Sequence, residues 1–308
     1  MKICFIFSGQ GAQYNGMGKE LYENFEVCKK VFDDANDALG FSLTDICFNE
    51  NSKINETEYT QPAILTTSYA IFKLMEQKGV KADFMAGLSL GEYSALCASD
   101  AIDFKEGVAL VRKRGKFMTE AVPTGVGAMS AVMNTDEDVI KEVLKEASND
   151  TEVAMIANYN APGQIVIAGH TQAIERAEAI FKEKGIKKVI RLNVSGPFHT
   201  SLLKPASDKL ATELKNVTIN TPKVDVFTNL TGDKVENIKD TLIKQVMSPV
   251  KWQQTIENLI NLGVDTFIEL GPGKTLCSFV KKVSKDVNVF NVEDLASLEK
   301  TCKGIGIE

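Results

Sequence analysis

Short apolar runs alternate with amphipathic stretches along most of the chain. Residues 2–7 are an apolar, β-rich run that stops at Ser8-Gly9-Gln10-Gly11. Over residues 61–78, Ile64, Leu65, Ala70, Ile71, Leu74 and Met75 recur at helical spacing after Pro62, and Gly79 ends the helix they predict. Residues 83–88 read as a buried strand, 92–98 as a helix, and 103–120 as a long helix stopped near Pro123 and Gly125. Toward the C-terminus, 223–228 and 264–270 read as strands, and 237–247, 252–262 and 274–283 as helices. Strands separated by helices predict a mostly parallel sheet covered on both faces.

The middle of the chain has a different rhythm. Strands at 128–133, 153–159, 164–168 and 187–193 are interleaved with helices at 136–147 and 171–184. That order, β-α-β-β-α-β, is the ferredoxin-like unit. The expected fold is α/β: a large α/β-hydrolase-like domain of residues 1–126 and 195–308, interrupted by a small ferredoxin-like α+β domain at 127–194. Glycines flank the insertion at Gly125, Gly127 and Gly196.

Composition narrows the classes of function. Of 308 residues, 44% are apolar and 25% charged, which excludes a disordered chain, a collagen-like repeat and a disulfide-stapled mini-protein. A net charge of −6 argues against a global nucleic-acid face. No apolar run approaches the ~20 residues of a bilayer span. The apolar start, Ile3 to Phe7, is shorter than the roughly 7–15 residues of a signal-peptide core. Six cysteines are scattered singly without a C-x-x-C, as expected of thiols in a reducing compartment, so the expected location is cytoplasmic, with no structural zinc. No His, Cys or Asp cluster has metal-ligand spacing.

The strongest chemical signal is Gly87-Leu88-Ser89-Leu90-Gly91, a G-x-S-x-G between a predicted strand and a predicted helix. In that context it reads as a nucleophile elbow, a strained turn that lifts the serine hydroxyl to the top of a sheet. The bland alternative is a tight turn that happens to hold a serine. The following helix adds a positive dipole end, and the Leu90 amide would face a developing oxyanion. A serine needs a base, and only His170 and His199 are available. His170 opens the second small-domain helix and looks like a cap-region residue. His199, in Ser195-Gly196-Pro197-Phe198-His199-Thr200, sits where the chain re-enters the large domain in a loop stiffened by Pro and Gly; it is the chosen base, against the alternative of an ordinary loop histidine. Arg114 shares a helix face with Val111 and Met118, and no acidic residue stands three or four positions away. A buried guanidinium needs an anion, either a substrate carboxylate or a salt bridge from another helix. Gly273-Lys274-Thr275 fails as a P-loop because Ile268 stands where its first glycine belongs.

Seven motifs in order carry a resemblance. Gly9-Gln10-Gly11-Ala12-Gln13, Gly87-Leu88-Ser89-Leu90-Gly91-Glu92-Tyr93 and Arg114-Gly115-Lys116-Phe117-Met118 are followed by Asn160-Ala161-Pro162-Gly163-Gln164 and Gly196-Pro197-Phe198-His199, then by Gln245 to Trp252 and Glu269-Leu270-Gly271-Pro272-Gly273. Over nearly its whole length the chain resembles the malonyl-CoA:acyl carrier protein transacylases of fatty acid synthesis and the related acyltransferase domains of polyketide synthases. The resemblance implies Ser89 as nucleophile, His199 as general base and then acid, and the backbone carbonyl of Gln245 as the group orienting His199. It also implies an oxyanion hole from the amides of Gln10 and Leu90, a carboxylate grip by Arg114, and an acyl pocket with Met118, Asn160 and Phe198. The family usually carries His where this chain has Leu88, which changes the polarity beside the acyl pocket. Phe198 resembles the malonyl-selective members.

The implied partners are malonyl-CoA and, transiently, acyl carrier protein, acting on a monomer with neither metal nor resident cofactor; CoA and phosphopantetheine are substrate groups. Carrier proteins are acidic, so docking needs a local basic patch. Lys182, Lys184, Lys187, Lys188 and Arg191 cluster before His199, with Lys187, Lys188 and Arg191 the expected contacts; the alternative is a solvated helix end. A trans-acting polyketide acyltransferase and a serine thioesterase or hydrolase are the other functions compatible with these residues.

Overall fold

The computed structural model describes residues 1–194 and 196–307; Ser195, at the expected domain boundary and the start of the His199 loop, and Glu308 lie outside the described residues. Two sheets form the frame. The first is built from β1 (Ile3–Phe7), β2 (Phe84–Gly87), β7 (Asp225–Phe227), β8 (Thr266–Leu270) and β9 (Asn288–Val292), in the order β7-β2-β1-β8-β9. All four pairings are parallel. β1 and β8 are buried along their whole length, as a sheet covered on both faces requires. Alternate residues of β1 enter different cores: Ile3, Phe5 and Phe7 pack with the helix Thr57–Gln77, whereas Cys4 and Ile6 pack with Trp252, Ile256 and Leu259.

The second sheet comprises β3 (Gly127–Met133), β4 (Ala154–Ala161), β5 (Gln164–His170) and β6 (Val189–Arg191) in the order β4-β5-β3-β6, entirely antiparallel. With helices Glu137–Ala147 and Thr171–Glu183 between its strands, this is the ferredoxin-like arrangement. Its β4 edge is stitched to the large layer by two backbone bonds: Tyr159 N–H donates to Val250 O, and Val250 N–H to Ala157 O, both at 2.8 Å. Residue 250 follows Gln245 by five positions, so this seam lies beside the site.

Several elements differ from the sequence reading. The helix expected at 61–78 begins at Thr57 and carries Pro62 inside it. Proline at the sixth position removes one bond to the first turn, a loss the buried apolar face of this helix outweighs. The last small-sheet strand covers only Val189–Arg191 because β6 pairs with β3 over three residues. Strand β9 and the helices Glu26–Leu39, Lys204–Leu214 and Leu295–Gly304 were not read from the sequence. β9 is an edge strand with asparagine at two of its five positions, so it lacks the apolar run that marked β1 and β8.

Candidate active site

The C-terminal ends of the parallel strands converge on one cavity of about 250 Å³, the usual place for a site in an open α/β sheet. Its walls include Gln10 from the loop after β1, Leu88 and Ser89 after β2, and Glu269 at the end of β8. The second sheet closes the far side with Met129, Asn158, Asn160, Val166 and Leu192, and Met118, Phe198 and His199 complete the lining. The two sheets thus form opposite jaws.

Ser89 is the N-cap of the helix Leu90–Ala98, with φ 54° and ψ −103°. A turn this tight needs glycine on both sides. A Cβ on Gly87 would lie 2.0 Å from the Gly91 carbonyl, and one on Gly91 would lie 2.1 Å from Phe7 O. Ser89 and His199 (φ 61°) are two of the four non-glycine residues with positive φ among the described residues. Strain of this kind persists only where the surroundings over-determine it. Here Asn229, just beyond β7, grips the elbow. Its Oδ1 accepts from Ser89 N–H at 2.5 Å and its Nδ2 donates to Gly87 O at 2.7 Å. The Ser89 amide is therefore occupied. Leu90 opens the helix, so its amide has no intrahelical acceptor.

His199 is buried and its Nε2 lies 2.7 Å from Ser89 Oγ. Its Nδ1 lies 2.9 Å from the backbone carbonyl of Gln245. A carbonyl only accepts, so Nδ1 carries the proton and Nε2 presents a lone pair to the serine hydroxyl. Gln245 ends the helix Ile238–Gln245, which leaves its carbonyl without an intrahelical donor. Burial, and next the nearby Arg114 charge, push His199 down to about 4, so the ring is neutral at physiological pH.

Arg114 is 1% exposed on the helix Phe104–Ala121, on the same face as Val111 and Met118. Its Nη1 donates to Gln61 Oε1 at 2.9 Å and its Nη2 to Gln245 Oε1 at 3.1 Å, with Ser89 Oγ at 3.4 Å. Its guanidinium lies 5.2 Å from the centre of the Tyr93 ring. These hydrogen-bond partners are neutral; the inter-helix salt bridge weighed as an alternative is not among the described contacts. The guanidinium is thus held beside Ser89 by neutral hydrogen-bond partners, with the Glu92 carboxylate one residue away behind Gln245.

Of the remaining sequence candidates, Met118 accepts from Gln61 Nε2 through its sulfur, Phe198 packs with Met118 and Met129, and Asn160 lines the cavity with a buried Oδ1 that has no partner among the described residues. Gln10 Nε2 donates to Thr57 Oγ1 at 3.1 Å, which fixes the loop carrying the Gln10 amide. His170 lies apart from the site. Its Nδ1 accepts from Val153 N–H at 3.0 Å, a structural bond within the small sheet. Arg191, expected as a docking contact, is exposed and has its guanidinium paired with both carboxylate oxygens of Glu178 at 2.7 and 2.8 Å. Lys187 and Lys188 remain exposed.

Four residues that shape the site were given no role from the sequence: Gln61, Asn229, Glu92 and Glu269. Glu269 accepts from the amides of Leu276 and Cys277 and so caps the helix Thr275–Val283; burial pushes its carboxyl up to about 7. Gln61 and Asn229 act across 53 and 140 positions, a range no local spacing reports. Glu92 lies in the motif around Ser89, where a carboxylate among apolar helix residues is the one visible cue.

Comparison with known proteins identifies the family. Residues 4–304 match the acyl transferase domain family. The chain is 44% identical over 302 residues to the malonyl CoA-acyl carrier protein transacylase of Bacillus subtilis (strain 168), covering 97% of this chain and 95% of the relative. The crystal structure of the malonyl CoA-acyl carrier protein transacylase from Clostridium perfringens superposes with a TM-score of 0.96 at 49% identity, covering 99% of this chain and 98% of that one. A malonyl-transacylase solved in complex with its type II PKS acyl-carrier protein superposes with a TM-score of 0.95 at 37% identity, covering 99% of this chain and 100% of that one. With the family model matched over residues 4–304 and relatives 44% and 49% identical over nearly the full length, the chain belongs to the acyl transferase domain family.

Proposed function

We propose that the protein transfers the malonyl group from malonyl-CoA to the phosphopantetheine thiol of acyl carrier protein, through an ester on Ser89. The observation that carries this reading is the placement of a buried Arg114, with neutral hydrogen-bond partners, at 3.4 Å from Ser89 Oγ, where a carboxylate on the acyl group completes the guanidinium's coordination.

The reaction runs in two halves. Ser89 Oγ attacks the thioester carbonyl as His199 Nε2 takes its proton. The amides of Gln10 and Leu90 receive the developing oxyanion. The carbon–sulfur bond then breaks, and the CoA thiolate leaves with the proton from His199. In the second half the carrier thiol gives its proton to His199 and attacks the ester, and Ser89 takes the proton back. The Gln245 carbonyl keeps the histidine in the required tautomer throughout. Met118, Asn160 and Phe198 bound the acyl pocket, and Leu88 gives its floor an apolar character. Arg114 favours malonyl over acyl groups without a carboxylate.

Carrier protein docks as a transient partner of a monomer on the β6 edge, where exposed Lys187, Lys188 and Ile190 lead to Leu192 and Val194 at the cavity wall. All six cysteines are free, which fits a cytoplasmic enzyme, and no helix among the described residues is long and apolar enough to cross a membrane. The scheme needs no resident cofactor or metal. Whether the product feeds fatty acid or polyketide synthesis depends on which carrier is supplied; the superposition on a transacylase bound to a PKS carrier supports the latter as a second reading. The test is mass spectrometry of carrier protein incubated with enzyme and malonyl-CoA. Malonylation of the holo form and not the apo form is expected; free malonate with an unmodified carrier contradicts the proposal.

A further inference from the structure

We propose that Glu92 is a positioning residue for this transfer, fixing the nucleophile, the base and the carboxylate grip through Gln245 and Asn229. The inference rests on the reading above and adds to it a residue that touches none of the reacting atoms.

Glu92 lies on the helix that follows Ser89 and is fully buried. A carboxylate that deep is strongly disfavoured unless it serves donors that have no other acceptor. Its Oε2 accepts from Gln245 Nε2 at 3.1 Å and from Asn229 N–H at 2.9 Å. The same Gln245 Nε2 donates to Ser89 O at 2.8 Å. With its nitrogen committed to two acceptors, the Gln245 amide presents its oxygen to Arg114. The reversed amide would set oxygen against the Glu92 carboxylate and N–H against a guanidinium, so Glu92, together with Ser89 O and Arg114, sets which way round this side chain sits. Burial, the largest influence, pushes the Glu92 carboxyl up; the Asn229, Thr228 and Gln245 donors and the Arg114 charge act in the opposite direction.

Each of the three working groups is one residue away. Gln245 holds His199 with its carbonyl and Arg114 with its amide oxygen. Asn229, held by its amide on Glu92, pins the Ser89 backbone. In a Ser-His-Asp triad the carboxylate meets the histidine directly. Here it stands one residue further back and serves the arginine and the elbow as well, so the carboxylate grip and the base are set by the same group.

The test compares Glu92→Met, which removes the acceptor at similar volume, with Glu92→Gln, which keeps an acceptor oxygen. Gln245→Met, which cuts the side-chain link and leaves the backbone carbonyl, is made alone and combined with each. Transfer from malonyl-CoA and from acetyl-CoA is measured on protein shown to be folded by circular dichroism. Small displacements of reacting groups cost on the order of 100-fold, so Glu92→Met is expected to lower malonyl kcat about 100-fold and to erode the malonyl-over-acetyl preference. Glu92→Gln is expected to recover most of both, to within about 10-fold of wild type. Losses should combine sub-additively with Gln245→Met, because the two side chains share the route through the Gln245 amide. Wild-type kcat in folded Glu92→Met overturns the proposal, as do strictly additive losses. If the methionine variant does not fold, the Glu92→Gln and Gln245→Met cycle decides alone by the same additivity criterion. Wild-type enzyme that forms no malonyl ester defeats the transfer reading itself, which separates that failure from the failure of Glu92's role.

Discussion

His199 Nδ1 lies 2.9 Å from the carbonyl of Gln245, and that single bond assigns the proton on the ring. Nε2 is left as the base toward Ser89. Burial and the Arg114 charge hold the ring at about 4 against an ordinary 6.5. A general base works when neutral, so activity is retained well below neutrality and is lost as pH falls through the folded pKa. The kcat/KM for enzyme acylation should therefore show its acidic limb near pH 4. Arg114→Leu removes a charge that depresses the ring and should move the limb upward when read with acetyl-CoA. A wild-type limb near 6.5 would mean that the ring is solvated in the working enzyme.

Arg114 divides substrates by charge. Its hydrogen-bond partners are neutral, and the Glu92 carboxylate that interacts with it is engaged by Gln245 and Asn229, so an acyl group without a carboxylate leaves its side toward Ser89 without an anion. Sites built around a buried polar group reject analogues lacking its complement by roughly 10⁴–10⁵ in favourable cases. Arg114→Ala should lower malonyl transfer by at least about 100-fold and acetyl transfer much less. Steady-state kinetics on both thioesters measures this, and equal losses on the two would remove the selective role.

The docking edge makes a separate prediction. Arg191 is paired with Glu178, whereas Lys187 and Lys188 are exposed beside β6. Charge reversal at both should raise the KM for carrier protein several-fold at low salt, with little change in the KM for malonyl-CoA. An unchanged KM for carrier protein places the dock elsewhere.

The parts of this molecule legible in its sequence are those whose cause is local. Gly87 and Gly91 announced the elbow because only glycine fits within 2.1 Å of neighbouring backbone. The apolar runs of β1 and β8 announced a sheet buried on both faces, and Arg114 stood out as a charge on an apolar stripe. Its site partners emerge only in three dimensions. Gln61 and Gln245 meet it from two other helices, and Asn229 reaches Ser89 from a strand end 140 positions away. The edge strand β9 and the pairing of Arg191 with Glu178 were hidden for the same reason, since neither leaves a periodic mark. Naming Gln245 and Gln10 required the family resemblance; naming Glu92 required the hydrogen bonds.

The central claim is a malonyl ester on Ser89. Intact mass spectrometry of the enzyme after brief mixing with malonyl-CoA, beside acetyl-CoA and a Ser89→Ala control, tests it directly. The account predicts a malonyl adduct that is absent from Ser89→Ala, weak with acetyl-CoA, and cleared by added holo carrier protein. Steady release of CoA and malonate without an adduct on Ser89 would contradict it and indicate a hydrolase.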